Sequence, residues 1–183
     1  MAKRTNNNRQ VAETKEWIRN ALLYLMEKER FNNITISQVA SNAGIDRRTF
    51  YRHYKTKESV LDDHILSLLV PYFESLINQG PFDEYQWTKE QFVFFKEHVT
   101  FLRLLKQQGL FGYLLFRYQA YIEIFQNMRG IPLDKKEETR FRMAFKTGGF
   151  WNIISEWIED EPVKSPEEMT AIIYPFLTGR MGT

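Results

Sequence analysis

The sequence has no cysteine, and this absence excludes several kinds of chemistry. Without cysteine there is no disulfide, no thiolate nucleophile and no cysteine-containing zinc site. The three histidines, His53, His64 and His98, are scattered, and none has a partner at the spacing of a His-Glu-x-x-His zinc motif. A phosphate-binding glycine loop and a paired nucleophile and base are also missing. We therefore expect a protein that is not an enzyme and uses no metal or other cofactor.

Long apolar runs are missing as well. No stretch approaches the roughly 18 to 20 apolar residues that span a bilayer. The start, MAKRTNNNRQ, does not lead into the apolar segment of a signal peptide. Hydrophobic residues make up 43% and charged residues 26% of the 183 positions, as in ordinary soluble globular proteins. These features predict a cytoplasmic protein that does not associate with membranes.

Charge is distributed unevenly along the chain. Residues 1–60 hold 12 Lys and Arg against 6 Asp and Glu, whereas residues 61–183 hold 13 against 17. The net charge of +2 therefore combines a basic N-terminal third with a mildly acidic remainder. This division suggests an anionic partner for the first third and a different role for the rest.

Apolar residues recur at helical spacing through most of the chain, and no segment alternates as a β-strand does. The pattern predicts helices at about 10–30, 37–42, 47–54, 57–78, 87–107, 110–128, 133–159 and 165–177. Pro71 predicts a kink or a break near Leu69. We predict an all-α fold of about eight to nine helices, with a three-helix N-terminal head and a larger C-terminal helical bundle.

The same pattern predicts three segments. Residues 1–9 are polar and basic with nothing to bury, which is typical of a disordered arm. Residues 10–56 form the head, with a helix-turn-helix, and residues 57–183 form the C-terminal helical domain.

Local signals mark the ends of the short helices in the head. Residues 35–38, Thr-Ile-Ser-Gln, have the form of a capping box at the start of the second helix. Gly44 suits the left-handed position that follows a helix, and Asp46 can cap the next one. These signals predict a helix, a short turn and a second helix.

The third helix has two different sides. Phe50 falls on the side that can join a small core, whereas Arg48, Thr49 and Arg52 fall toward the other. A basic, hydroxyl-bearing face suits the DNA major groove, because arginine can bond guanine O6 and N7 and the threonine methyl can meet the thymine methyl.

The segment ITISQVASNAGIDRRTFYRHYKTKESVL resembles the DNA-binding segment of the TetR/AcrR family of bacterial transcriptional regulators. The resemblance covers about residues 10–65. It implies contacts to DNA base edges from Ser37, Arg47, Arg48 and Thr49, and contacts to DNA phosphates from Thr35, Tyr51, His53 and Lys57. It also implies a homodimer on double-stranded DNA with a palindromic operator, and a repressor released by a small-molecule effector bound in the C-terminal helices.

The C-terminal part carries a second resemblance. FKTGGFWNIISEWIED, followed by SPEEM, is similar to a subgroup that includes regulators of dihydroxyacetone kinase operons. Some regulators of that kind work with a protein partner, so a transcriptional activator acting with a protein co-regulator is an alternative. A helical protein-interaction module, whose basic head binds an acidic protein instead of DNA, is a further one.

The C-terminal part also offers candidates for a dimer interface and an effector pocket. The pair Gly148-Gly149 lies in mid-helix, where each glycine costs roughly 1 kcal/mol relative to alanine unless close helix packing offsets it. In the resembled family the last two helices pair across the dimer, and the candidates are Gly148, Gly149, Ile153, Trp157, Met169, Ile172, Ile173 and Phe176. Aromatic residues line ligand pockets as well as packed cores. The pocket candidates are Phe95, Phe101, Phe116 and Tyr121.

Overall fold

A computed structural model describes residues 2–79, 83–128, 137–161 and 163–178. These residues form nine α-helices and a single 3-10 turn, with no β-strand among them. The helices are α1 Ala2–Met26, α2 Ile36–Asn42, α3 Arg47–His53, α4 Lys57–Asn78, α5 Glu84–Glu97, α6 Val99–Gln107, α7 Phe111–Met128, α8 Glu137–Trp157 and α9 Pro166–Leu177, and the 3-10 turn is Phe31–Asn33. The predicted all-α fold is confirmed. Within the described ranges, no helix combines the length and apolar character needed to cross a membrane.

The chain divides into two compact units, Met1–Val70 and Pro71–Thr183. This division comes later than the predicted boundary at residue 56, because the first part of α4 buries side chains such as Leu61 and Ile65 in the first unit. Helix α4 continues through Pro71 without a break. A proline inside a helix removes one backbone hydrogen bond, and here the turns on both sides remain helical.

Helix α1 begins earlier than the sequence pattern predicts. Residues 2–9, for which composition predicts a disordered arm, are helical in the structure. They continue a helix whose later turns are anchored by Ile18 and Leu22, which are fully buried. Arg9 pairs with Glu13 one turn later at 2.9 Å, and opposite charges at this spacing favour a helix.

The helix predicted at 87–107 is divided into α5 and α6 at His98. His98 has φ −110° and ψ 18°, outside the helical region, and its ring lies 4.8 Å from the ring of Phe94. Neither glycine nor proline marks this position. The break therefore has no local sequence signal of the kind that predicts the other helix ends.

Asp63 on α4 joins three parts of the first unit. Its Oδ2 accepts a hydrogen bond from the Tyr54 hydroxyl at 2.6 Å, and its Oδ1 accepts one from Lys15 Nζ at 3.2 Å. Burial alone would raise the pKa of Asp63, but the hydrogen bonds from Tyr54 and Lys15 outweigh it and lower that pKa. The carboxylate thus ties α1 and the end of α3 to α4.

The second unit is built around aromatic rings. Phe92 on α5 meets Trp157 on α8 at a centroid distance of 5.1 Å, and Phe95 meets Tyr118 on α7 and Trp151 on α8 at 5.4 Å each. All five side chains are buried. These five rings therefore pack α5, α7 and α8 together.

Two basic side chains of α6 hold the C-terminal end of α8. Arg103 Nε donates to the Ile158 carbonyl at 2.5 Å, and Lys106 Nζ donates to the Ser155 carbonyl at 2.7 Å. Cations near the last carbonyls of a helix offset its dipole. Ser165 then opens α9 with a capping box, in which the Glu168 N–H donates to Ser165 Oγ.

Replacing Asp63 with Asn should destabilise the first unit in a pH-dependent way. We expect the free energy of unfolding at pH 7 to fall by about 1 to 2 kcal/mol, because hydrogen bonds to a charged acceptor are worth more than those to a neutral one. Folding lowers the pKa of Asp63, so its contribution is present above the ordinary value of 3.8 and is lost as pH falls through the lowered value. Urea unfolding between pH 7 and pH 3 should show the difference from the parent protein closing below about pH 4.

The matched control is Glu74→Gln, which removes an exposed carboxylate from the same helix. Its unfolding free energy should change by less than about 0.5 kcal/mol at every pH. A penalty for Asp63→Asn that stays constant down to pH 3 would refute the role of the carboxylate charge.

Candidate nucleic-acid interface

The turn between α2 and α3 is fixed by backbone hydrogen bonds around Gly44. Gly44 has φ +69°, the left-handed conformation that the sequence predicts for it. Its N–H donates to the Ser41 carbonyl at 3.1 Å, and the Ile45 N–H donates to the Ala40 carbonyl at 3.0 Å. This pair of bonds is the Schellman arrangement, which ends a helix and sets the direction of the chain that follows.

Capping side chains fix where the two helices begin. Thr35 and Gln38 form the predicted capping box of α2, with the Gln38 N–H donating to Thr35 Oγ1 at 3.2 Å. Asp46 caps α3 by accepting from the Thr49 N–H at 2.7 Å. The backbone hydrogen bond from Thr49 lowers the pKa of Asp46 and, with the other bonds to this carboxylate, outweighs the opposing effect of burial, so the cap is ionised at neutral pH. Both caps confirm the local predictions.

Phe50 anchors α3 from behind. Its side chain is fully buried, and its ring lies 5.7 Å from Tyr51 and 6.1 Å from Tyr54. Arg47, Arg48 and Arg52 on the same helix are exposed, as is Lys55 just after it. We call these four exposed cations the basic face.

The residues predicted to contact base edges have different surroundings. Ser37, Arg47 and Arg48 are exposed, and the Arg47 guanidinium lies 6.0 Å from the centre of the Tyr51 ring. Thr49 is half-buried, and its hydroxyl donates to Asp46 Oδ2 at 3.2 Å while accepting from Arg52 Nη2 at 3.0 Å. The Thr49 hydroxyl therefore already has partners in the protein. Thr49 and Arg52 are three residues apart on one helix, and this spacing could have predicted their contact from the sequence.

Three of the predicted phosphate contacts, Thr35, Tyr51 and His53, lie at the surface of the first unit. Thr35 is exposed, and its hydroxyl donates to Gln38 Oε1 at 2.6 Å. Tyr51 is 49% exposed. His53 is half-buried, and burial, followed by the neighbouring charges of Arg52 and Lys15, lowers its pKa. In the free protein the lowered pKa of His53 favours the neutral ring, which carries one N–H that can be donated to a phosphate.

Lys57, the fourth predicted phosphate contact, points into the protein. Its Nζ donates to the carbonyls of Phe31, Asn32 and Ile34 at 2.5, 3.1 and 2.8 Å, and lies 4.7 Å from the centre of the Phe31 ring. A lysine ammonium has three donors, and here all three are used. We call this arrangement the Lys57 clasp, since it fastens the 3-10 turn before α2 to the start of α4.

The candidate dimer-interface residues lie on α8 and α9, and some of them are exposed whereas others are buried. Ile172 and Phe176 are exposed, at 48% and 62%. Trp157, Met169 and Ile173 are buried, and Ile153 is half-buried. A methyl group added to Gly148 or Gly149 would meet no atom of the described residues within 4 Å. Close packing against other described helices therefore does not account for this pair of glycines.

The four pocket candidates do not share one environment. Phe95 is fully buried, Phe101 and Tyr121 are half-buried, and Phe116 is 64% exposed. A partly open cavity of about 230 Å³ lies elsewhere in the second unit, lined by residues of α5, α7 and α8 together with Leu177. No group of three or more His, Cys, Asp or Glu side chains in the described part of the chain is placed to hold a metal ion.

Comparisons with known proteins agree with this geometry. Residues 18–63 match the model of a family described as bacterial regulatory proteins, tetR family. The uncharacterized HTH-type transcriptional regulator YxbF of Bacillus subtilis (strain 168) is 41% identical over 59 residues, which are 32% of this chain and only 16% of that protein.

The fold has a counterpart among solved structures. The crystal structure of a TetR transcriptional regulator from Streptococcus agalactiae 2603V matches with a TM-score of 0.64 and 23% identity, covering 94% of this chain and 98% of that chain. Helices α2 and α3, with the turn between them, all lie inside the matched residues 18–63. This part of the chain is therefore similar to the tetR family of bacterial regulatory proteins.

Proposed function

We propose that this protein is a sequence-specific DNA-binding transcriptional regulator whose helix α3 reads the major groove. The observation that carries the proposal is the basic face on a helix that Phe50 anchors from behind, inside the segment that matches the tetR family. A helix held in this way presents its arginines at defined positions, which base readout requires.

The surroundings of the predicted contacts support different roles. Arg47, Arg48 and Ser37 read base edges, because they are exposed near the starts of α3 and α2. Tyr51 donates its hydroxyl to a phosphate and fixes register. Lys57 acts indirectly, through the clasp that holds the chain before α2.

The second unit pairs two copies through α8 and α9. Gly148 and Gly149 leave open space on α8, and Phe145 on the same helix is 83% exposed, with Ile172 and Phe176 exposed on α9. Large exposed apolar side chains on neighbouring helices are typical of an interface. A two-fold dimer would place one α3 in each half of a palindromic operator, about 34 to 36 Å or one turn apart, or a multiple of it.

Control acts through the second unit. We infer a cytoplasmic repressor that a small molecule or a protein partner releases, since a ligand that prefers one conformation shifts the population toward it. The cavity between α5, α7 and α8 supports a small molecule as that signal. An activator working with a protein co-regulator would instead raise expression of a reporter gene placed behind the operator.

Selection of bound sites from a random duplex pool tests the DNA-binding proposal. At near-physiological salt, where nonspecific phosphate attraction is weak, we expect an inverted repeat to be recovered. Arg48→Ala should then weaken binding to that repeat by about 1 to 3 kcal/mol and relax the preference at one position of each half-site.

Random duplex serves as the reference for the same variant. Arg48→Ala should change its affinity for random duplex far less than its affinity for the repeat. Recovery of unbiased sequences, or equal losses on both duplexes, would contradict base readout by α3.

Lys57 and Lys55 should differ in how they affect DNA binding. Lys57→Ala should lower the free energy of unfolding by about 1 to 3 kcal/mol, because three carbonyls lose a charged donor. It should weaken binding to all duplexes alike and leave the salt dependence unchanged. Lys55→Ala should alter stability by less than about 0.5 kcal/mol and reduce the slope of log affinity against log salt by about 1.

Urea unfolding and salt titrations of duplex binding measure these effects. A normal stability for Lys57→Ala together with a reduced salt slope would mean that the clasp opens and that Nζ reaches a phosphate in the complex.

Phe176→Asp should break the dimer. Burying a charge in the proposed interface should raise the dimer dissociation constant at least tenfold, or about 1.4 kcal/mol. The control is Phe116→Asp on α7, since Phe116 and Phe176 are exposed almost equally, at 64% and 62%. Sedimentation equilibrium of both variants should find a monomer for the first and a dimer for the second. A dimer for Phe176→Asp and a monomer for Phe116→Asp would instead place the dimer interface on α7.

A further inference from the structure

The hydroxyl of Thr49 lies between a carboxylate and a guanidinium. It donates to Asp46 Oδ2 at 3.2 Å and accepts from Arg52 Nη2 at 3.0 Å. Because an ionised carboxylate only accepts and an arginine only donates, the direction of both hydrogen bonds is fixed. The cap at the start of α3 and the arginine near its end are thus joined through Thr49.

The Thr49 hydroxyl is poorly placed to bond to a DNA phosphate itself. Its one hydrogen is already given to Asp46, and phosphate oxygens only accept. A bond to a phosphate would therefore replace the bond to Asp46 and yield little net free energy. Thr49 is also half-buried, whereas Arg52 is exposed. Arg52 is the better placed of the two to reach DNA.

Arg52 keeps most of its capacity for hydrogen bonds. The bond to Thr49 occupies one of the five N–H groups of the guanidinium. Two parallel N–H groups remain for a pair of bonds to a phosphate, the arrangement in which arginine binds phosphate most strongly. A long side chain that is already held also loses less freedom on binding than a free one does.

The position of Arg52 along α3 favours a phosphate over a base edge. Arg47 and Arg48 are the first residues of α3, whereas Arg52 lies in its last turn. A recognition helix contacts base edges with its N-terminal residues. Arg52 lies about 6 Å further along the helix axis than Arg48, at the end of α3 that is farther from those edges.

We propose that Arg52 binds a DNA phosphate at the edge of the major groove, and that Thr49 is a positioning residue whose hydroxyl holds the guanidinium in place. The inference rests on the proposed function only in taking α3 as the helix that enters the groove. It does not require base readout by Arg47 or Arg48, because phosphate contacts carry no sequence information.

Salt titrations of binding to a pool of random-sequence duplexes test the contact from Arg52. Arg52→Ala should reduce the slope of log affinity against log salt by about 1, because one phosphate contact is lost. The matched control is Arg19→Ala, which removes an arginine of α1 that donates in the same way to Ser67 Oγ at 3.0 Å. This control should leave the slope unchanged.

Substitutions at Thr49 separate the role of its hydroxyl from that of its methyl group. Thr49→Val should weaken binding about threefold to tenfold without changing the slope, since the charge stays but the guanidinium must be ordered on binding. Thr49→Ser keeps the hydroxyl and should bind as the parent protein does. In the Arg52→Ala background, Thr49→Val should have no further effect, because the group that it positions is gone.

Three results would overturn the inference. An unchanged slope for Arg52→Ala would exclude the phosphate contact. A loss for Thr49→Val that persists in the Arg52→Ala background would mean that the hydroxyl acts on the helix and not on Arg52. An equal loss for Thr49→Ser would assign the effect to the methyl group. Urea unfolding checks that each variant is folded, and Thr49→Ala, which also lacks the hydroxyl, replaces Thr49→Val if that variant does not fold.

The results also distinguish this contact from base readout. A parent protein that binds no duplex would contradict both. Unbiased sequences from site selection, together with the slopes expected for Arg52→Ala and Arg19→Ala, would contradict base readout alone.

Discussion

Helix α3 is too short and too charged to be stable by itself, and the first unit is arranged to hold it. Seven residues make barely two turns, well below the length at which an isolated helix forms in water. Its exposed arginines also repel one another. Asp46 therefore caps the start, Phe50 is buried beneath, and Tyr54 at the end is bonded to Asp63. Because these contacts act on the start, the side and the end of the helix, they fix its position and its rotation together.

The parts of this arrangement that could be predicted are local in sequence. A cap and the N–H that it accepts from are three residues apart, and the left-handed glycine lies directly after the helix that it ends, so Thr35, Gly44 and Asp46 could be identified by spacing. The Lys57 clasp and the bond between Lys15 and Asp63 join residues that are 23 to 26 and 48 positions apart. Such contacts depend on how the helices pack, and local residue patterns do not predict helix packing. The division at His98 was missed for a similar reason.

In the second unit, the composition shows many aromatic residues but does not show which of them pack in the core and which line a cavity. The same ring can close a core or line a cavity, and the difference depends on which helix lies opposite. Phe95 faces Tyr118 and Trp151 and is fully buried, whereas Trp151 also borders open space. One residue of an aromatic cluster can therefore pack against its neighbours and also line a cavity. Sequence alone could not separate Phe95 from Trp151 in this respect.

The intramolecular bonds of the predicted DNA contacts also determine where binding energy would come from. If Thr35 or Thr49 bonded to DNA, each hydroxyl would exchange a protein partner for a DNA partner, and such exchanges yield little net free energy. Lys57 would have to leave three carbonyls. Arg48 and Lys55, in contrast, are exposed to water and can release counterions from DNA phosphates when they bind. On the proposed function, the exposed cations would therefore set the salt dependence of DNA binding, while the hydroxyls and Lys57 hold the helices in place.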